Sequence, residues 1–327
     1  MRIITRDDFT DIYVKLRQRG FSFLLSKLRL SGNARTASAN EKSIDGTANW
    51  WIIPSLRRDW NRAVTGSRDK CAEDYIREKY FSGKTNLKIL APGSGSCSHE
   101  ILIASYPEVS EILCIEISGK TLEEVKLSAK KEEAGKIIFR QGDANVIELP
   151  ENFYDAAVFF NSLHHFRDME NFISNKIKRS LKPGGLLIMD EYVGPDRLCL
   201  PQEQIRAVNS ALSIIPGKFR IRHKTNLEKK AFSGSGFLRM LAADPSECAE
   251  SSKILPALRE HFEILEETPR GGNILMHALK DIAHHFAGDD QEAAEVLSKL
   301  KEQEAKYLKS HESDFVFGVY RKPSSGF

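Results

Sequence analysis

Five short stretches carry side chains whose types and spacing could do chemistry together. In "LAPGSGSCSHE" (90–100), Gly93, Ser94 and Gly95 form a Gly-x-Gly turn between a strand-like and a helix-like run. Glycines there let a backbone come close to a ligand. Glu116 ends the next strand-like run, 21 residues after Gly95, and Asp143 follows the third, in "RQGDAN". "NSLHHF" (161–166) supplies His164 and His165, and "DEYVGPDR" (190–197) supplies Glu191 and Tyr192. Acids at strand tips suit a ribose diol or an amine. An imidazole or a further carboxylate suits proton removal. The pattern is a nucleoside grip beside a proton acceptor.

Alternating elements must position these groups. Strands are expected at 87–90, 111–116, 136–143, 154–161 and 186–192, with helices at 119–133 and 168–181. That rhythm predicts a doubly wound, Rossmann-like α/β sheet, with ligands beyond the carboxyl ends of its strands. After Pro195 the rhythm stops for about 65 residues, with helices expected at 201–213 and 245–260. Strands at 261–267 and 314–322 and a helix at 291–309 close the chain; 272–288 reads as strand or helix. At the other end, 1–32 reads as helical and 31–49 as a polar loop. "NWWIIPSLRRDWNRAVTG" (49–66) holds all three tryptophans, and a helix from Pro54 would carry Arg57, Asn61 and Val64 on one stripe. The expected organisation is an N-terminal helical cap (1–85) and a core (86–327) containing a helical insertion (196–260).

Bulk properties exclude several classes. The 327 residues are 41% hydrophobic and 28% charged, as in globular proteins. A net charge of +3 does not favour nucleic-acid binding. Five cysteines without C-x-x-C spacing argue for reduced thiols and a cytoplasmic location. No apolar run reaches the ~18 residues of a membrane span, so no stable membrane insertion is expected. The N-terminus lacks a signal-peptide pattern: "FSFLL" is short and flanked by Arg19 and Lys27. A small molecule is the expected partner, and self-association stays open.

The glycine turn fits two cofactors. A dinucleotide fingerprint would place a third glycine at Ser98. Glu116 suits either cofactor, whereas Asp143 favours S-adenosylmethionine, which has no pyrophosphate. That cofactor needs an acid for its ribose and a polar partner for its adenine amine. Glu116 and Asp143 fill those roles, with Ala144 offering a backbone N–H.

In order and spacing, "ILAPGSGS", "CIEIS", "QGDAN", "YDAAVFFNSLHHF" and "LKPGGLLIMDEY" resemble the class I S-adenosylmethionine-dependent methyltransferases, in particular the small-molecule, type 11-like group. The resemblance covers roughly residues 86–192. It implies a seven-stranded sheet with its last strand antiparallel, and methyl transfer to a small-molecule or sugar-like acceptor, at oxygen by preference. The implied cofactor set is Gly93, Ser94, Gly95, Glu100, Glu116, Ile117, Asp143, Ala144, Asn161 and Leu163. His165 and Glu191 are candidate bases; Arg57, His164, Tyr192 and His284 are candidate acceptor contacts. Two departures stand out: Ala91 replaces the usual acid ahead of the turn, and Cys97 replaces the third glycine. Glu100 is the candidate substitute for the missing acid. No metal is expected; His277, Asp281, His284 and His285 make only a weak ligand pattern. The alternatives are a non-catalytic cofactor-binding module, a nicotinamide-dependent dehydrogenase and an RNA methyltransferase.

Overall fold

Strand alternation decides which way each side chain faces. The computed structural model describes residues 2–19, 49–128 and 135–324. The first strands are Leu87–Pro92 (β1), Val109–Glu116 (β2) and Ile137–Gln141 (β3), followed by Tyr154–Phe160 (β4) and Leu181–Tyr192 (β5). Ile89, Ala91, Ile112, Cys114, Ala156 and Val158 point into one core. Leu90, Leu113, Ile115, Ala157, Phe159 and Leu187 point into the other. Apolar residues on both faces require cover on both faces, as in parallel sheets.

Glu263–Gly271 (β6) and Phe315–Arg321 (β7) complete seven strands, ordered β3-β2-β1-β4-β5-β7-β6. The first five are mutually parallel, and β7 runs antiparallel to both β5 and β6. This is the expected doubly wound sheet with its antiparallel final strand. The chain winds outward from β1 to β3, then returns to place β4 against the other side of β1. A crevice opens at the carboxyl ends of strands where the winding reverses. β3 is shorter than expected because Gly142 turns the chain, donating its N–H to the Glu116 carbonyl at 3.0 Å.

The helices follow as α1 (Arg6–Arg19), α2 (Pro54–Thr65), α3 (Ala72–Ile76), α4 (Ser98–Ala104), α5 (Gly119–Ser128) and α6 (169–180). Later come α7 (Gln202–Ile214), α8 (Phe237–Ala243), α9 (Ile254–His261), α10 (Leu275–Leu279) and α11 (Gln291–Tyr307). Pro54 opens α2, and Gly66 at φ +78° stops it. Residues 20–48, with "FSFLL" and most of the 31–49 loop, lie outside the described residues, as do 129–133 of the 119–133 helix.

Two expected elements change. The helix read at 245–260 starts only at Ile254. Upstream, the Asp244 carboxylate accepts from the Ser246 amide (2.9 Å) and hydroxyl (2.7 Å), a local turn that competes with helix. Segment 272–288 becomes α10 plus a 3₁₀ turn at Ala283–Phe286. Trp50, Ile53 and Leu56 pack with α7, α10 and α11 in a third, all-helical core. Buried Glu304 on α11 secures it, accepting the amides of Gly272, Ile274 (2.9 Å) and Leu275 (2.7 Å). No helix among the described residues is long and apolar enough to cross a membrane.

Candidate active site

The turn after β1 needs its glycine. Gly93 sits at φ +70°, and a Cβ there would lie 3.1 Å from the Ser162 Cβ. Its N–H, and that of Ser94, donate to the Ile115 carbonyl (2.7 and 3.2 Å), which ties the turn to β2. Cys97 adopts φ +51°, a left-handed conformation that glycine holds without strain. The cysteine stays buried there, its thiol donating to Ser94 Oγ at 3.3 Å.

Glu116 closes β2 almost fully buried. Its Oε2 accepts the Gly95 amide at 3.1 Å and its Oε1 the Ser118 amide at 2.8 Å. Those bonds fix the carboxylate without exhausting its four acceptor sites. One strand further, Asp143 Oδ1 accepts the Asn145 amide (2.9 Å) and side-chain amide (2.7 Å). The Lys176 ammonium pins the loop between β3 and β4, donating to the Ala144, Asn145 and Ile147 carbonyls at 2.6–2.9 Å.

These groups line one cleft of about 400 Å³. Its walls include Gly93, Glu116, Ile117, Asp143, Ala144 and His165. Phe166 and Phe172 also line it, their rings stacked 4.3 Å apart. It thus offers an acid at each of two neighbouring strand tips, an aromatic wall and an imidazole. Volume and lining suit a nucleoside-sized ligand.

The histidines face different partners. His164 Nδ1 lies 2.7 Å from Glu191 Oε2, with both residues buried. Glu191 Oε1 also takes the amides of Ser162 and Leu163, the latter at 2.7 Å. Burial alone would lower the His164 pKa; the facing Glu191 carboxylate outweighs it and holds it above the ordinary value. His165 Nδ1 lies 3.0 Å from Ser246 Oγ. Because that hydroxyl donates to Asp244 Oδ1 at 2.7 Å, it accepts from His165 Nδ1–H. His165 Nε2 is then left with a lone pair. Burial, then the neighbouring His164, push the His165 pKa down.

Several sequence candidates lie away from the cleft walls. Glu191 does not line the cleft; its carboxylate is committed to the 162–164 backbone and ring. Leu163 is core. Asn161 is exposed at φ +51°. Ser94 and Gly95 shape the turn without lining the cleft. Buried Tyr192 donates to the Pro195 carbonyl at 3.1 Å. Arg57 is exposed on α2. His284 packs beside His223 and His285 in the 3₁₀ turn, and burial followed by their charges lowers its pKa to about 4. The weak ligand pattern there is broken by Arg222, which holds Asp281 at 2.5 Å.

Glu100 is also off the cleft. It is 3% exposed, and its Oε2 has no partner. Burial raises its pKa to about 7. Between the unfolded value of 4.5 and about 7, the folded chain keeps a proton that the unfolded chain has lost, so stability falls as pH rises through that window. Glu100→Gln removes the penalty. Urea unfolding should find the variant equal to the parent at pH 4 and more stable by about 3 kcal/mol at pH 8. Parallel pH profiles for the two proteins would contradict it.

Asn145, Arg167, Lys176 and Ser246 also line the cleft, and no local pattern in the sequence flagged them. Ser246 arrives from the segment between α8 and α9, which Arg197 holds by donating to the Pro245 (2.6 Å) and Glu247 (3.1 Å) carbonyls. Arg270, next to the last residue of β6, is half-buried between Asp190 and the Trp60 ring, its centre 4.9 Å from the ring centroid.

Residues 90–189 match the family described as Methyltransferase domain. Over 87 residues the chain is 30% identical to the uncharacterized protein YafE of Escherichia coli strain K12. That match takes in 27% of this chain and 42% of the relative, less than half of the relative's length. Phosphoethanolamine N-methyltransferase 2 of Haemonchus contortus superposes with a TM-score of 0.50 at 16% identity, over 90% of this chain and 61% of that one. An S-adenosylmethionine-dependent methyltransferase from Mesorhizobium loti gives 0.42 at 13% identity, over 77% and 98% of the two chains. At 16% identity the Haemonchus contortus structure speaks for the fold alone. The matched segment runs from within β1 into β5 and contains the glycine turn and both strand-tip acids, so residues 90–189 are similar to a methyltransferase domain.

Proposed function

We propose that the chain transfers the methyl group of S-adenosylmethionine to a small-molecule acceptor, with a hydroxyl oxygen as the preferred nucleophile. The observation that carries this reading is the shared cleft. Glu116 and Asp143, at adjacent strand tips, line it together with His165. Glu116 is assigned to the ribose hydroxyls, and Asp143 with the Ala144 amide to the adenine edge. Phe166 and Phe172 supply the apolar wall for the base. The sulfonium then lies toward Gly93 and the 162–165 turn.

Methyl transfer is an in-line displacement. The acceptor oxygen forms a bond to the methyl carbon as the carbon–sulfur bond breaks, and sulfur keeps the electron pair. A hydroxyl must also lose its proton, and His165 Nε2 has the lone pair and position to take it. Glu191, committed to the backbone, is assigned to positioning. Enclosure matters as much as the base, since an aligned methyl donor needs water excluded.

The test is acceptor-dependent turnover. Purified full-length protein is incubated with S-adenosylmethionine labelled in its methyl group and a panel of phenols, sugars and hydroxy acids. The reading expects S-adenosylhomocysteine release that depends on one acceptor class, with label in a new methyl ether. Failure to bind either form of the cofactor would defeat it. Binding without turnover on any acceptor would favour the non-catalytic module, which Ala91 and the strained Cys97 leave room for.

A further inference from the structure

We infer that His164, His165 and Glu247 form a divalent-metal site at the rim of the cofactor cleft. Their ligand atoms, one per residue, all lie within 4.8 Å of one another. Glu247 Oε1 stands 3.9 Å from His164 Nε2, and Glu247 Oε2 stands 3.9 Å from His165 Nε2. Two ligands about 2.1 Å from one ion at a tetrahedral angle stand about 3.4 Å apart. A small side-chain adjustment therefore brings these three to bonding distance.

The surroundings prepare the site. Each ring is tied through Nδ1, His164 to Glu191 at 2.7 Å and His165 to Ser246 at 3.0 Å. Both bonds leave Nε2 for the third residue. A metal-binding imidazole has this arrangement, with its other nitrogen donating to a carboxylate or an ordered acceptor. Two Nε2 lone pairs and a carboxylate then face one another, an arrangement that a cation satisfies. The backbone carrying Glu247 is held firmly, because Arg197 grips the Pro245 and Glu247 carbonyls and Arg167 the Pro245 carbonyl. Glu247 also accepts a contact from the Cys248 thiol at 3.4 Å. Two imidazoles and one carboxylate suit zinc, manganese or iron(II), with positions open for further ligands.

The open positions define an acceptor class. His165 and Ser246 line the cleft, so an ion on His165 Nε2 faces the region assigned to the acceptor. A hydroxyl or thiol bound there loses its proton to solvent more readily, and the resulting anion attacks the methyl carbon as the carbon–sulfur bond breaks. In the loaded protein this replaces proton removal by His165. An acceptor with two adjacent oxygens, such as a catechol or an α-hydroxy acid, would chelate the ion. Only this acceptor statement rests on the proposed methyl transfer; the metal site does not.

The experiment titrates cobalt(II) into metal-stripped full-length protein, with calorimetry and visible absorption as readouts. One equivalent should bind, giving the intense bands of a low-coordinate site, and zinc should displace it. Glu247→Gln and His165→Ala should each weaken cobalt binding at least tenfold. Calorimetry with S-adenosylhomocysteine and the melting temperature report separately on cofactor binding and folding. Glu247→Gln should leave both unchanged. No saturable cobalt binding would overturn the proposal. So would equal affinity in both variants, the result expected if the ion sat instead at the other His-carboxylate group, Glu170, Glu260 and His261.

Discussion

Glu116→Ala is expected to weaken S-adenosylhomocysteine binding by roughly 10²–10⁴-fold. The carboxylate is almost fully buried, and its two oxygens are already aimed by the Gly95 and Ser118 amides. A ligand diol would add two hydrogen bonds to a charged acceptor. Such bonds are worth about 1.5–3 kcal/mol each, and ~1.4 kcal/mol is a factor of ten in affinity. Alanine also frees the Gly95 amide, so the glycine turn loses an anchor as the ligand loses a partner. Glu116→Gln keeps the shape and one acceptor oxygen, and should retain part of the affinity. Isothermal calorimetry on parent and both variants measures this directly. A dissociation constant for Glu116→Ala within threefold of the parent's would remove Glu116 from the cofactor site and take the orientation proposed for the nucleoside with it.

The same residue shows why part of the site was legible in sequence. Glu116 and Asp143 end strands whose apolar runs identify them, and in a parallel sheet strand tips share one edge. Strand pattern thus pointed to Glu116 and Asp143 at one edge, and Gly93, Ile117 and Ala144, which the resemblance implied, line the same cleft. The five inner strands were readable for the same reason: a strand covered on both faces has to be largely apolar, whereas the edge strands β3 and β6 are half-exposed and mix in charged residues. Ser246 and Glu247 had no such signature. Ser246 reaches the cleft, and Glu247 the His164–His165 pair, only because the segment between α8 and α9 folds back about 80 residues later onto the turn after β4. A polar turn around Asp244 looks in sequence like the start of the helix that begins at Ile254. Roles inferred from proximity to the edge were least secure. Leu163, Tyr192 and Glu191 all lie near the carboxyl ends, yet each turns inward: Leu163 into the core, Tyr192 to a carbonyl, Glu191 to two amides and a ring. Periodicity reports which face a strand residue takes; it does not report which partner a residue at a strand's end or in the following turn will find.

Glu191 is therefore the residue whose loss should cost the most stability. It is fully buried, and its carboxylate serves the Ser162 and Leu163 amides and the His164 ring together. Alanine orphans all three groups in a site that water does not reach. Breaking a buried charged pair costs about 3–5 kcal/mol, mostly from the partners left behind. Glu191→Ala should lower the free energy of unfolding by that amount in urea denaturation. Turnover should fall at least a hundredfold even where the variant stays folded, because the 162–165 turn that aims His165 loses its clamp. Glu191→Gln separates the two effects. Its carbonyl can still accept both amides, so most of the stability should remain. Its amide group, however, donates toward His164 Nδ1, which must then carry the lone pair while Nε2 takes the proton. A residue that only holds the fold would leave the glutamine variant fully active. A residue that sets the histidine tautomer would leave it stable but impaired, with kcat reduced and the S-adenosylhomocysteine dissociation constant unchanged. Unfolding of Glu191→Ala at the parent's urea concentration would show that the 162–164 amides find other acceptors, and that Glu191 is not what shapes the turn.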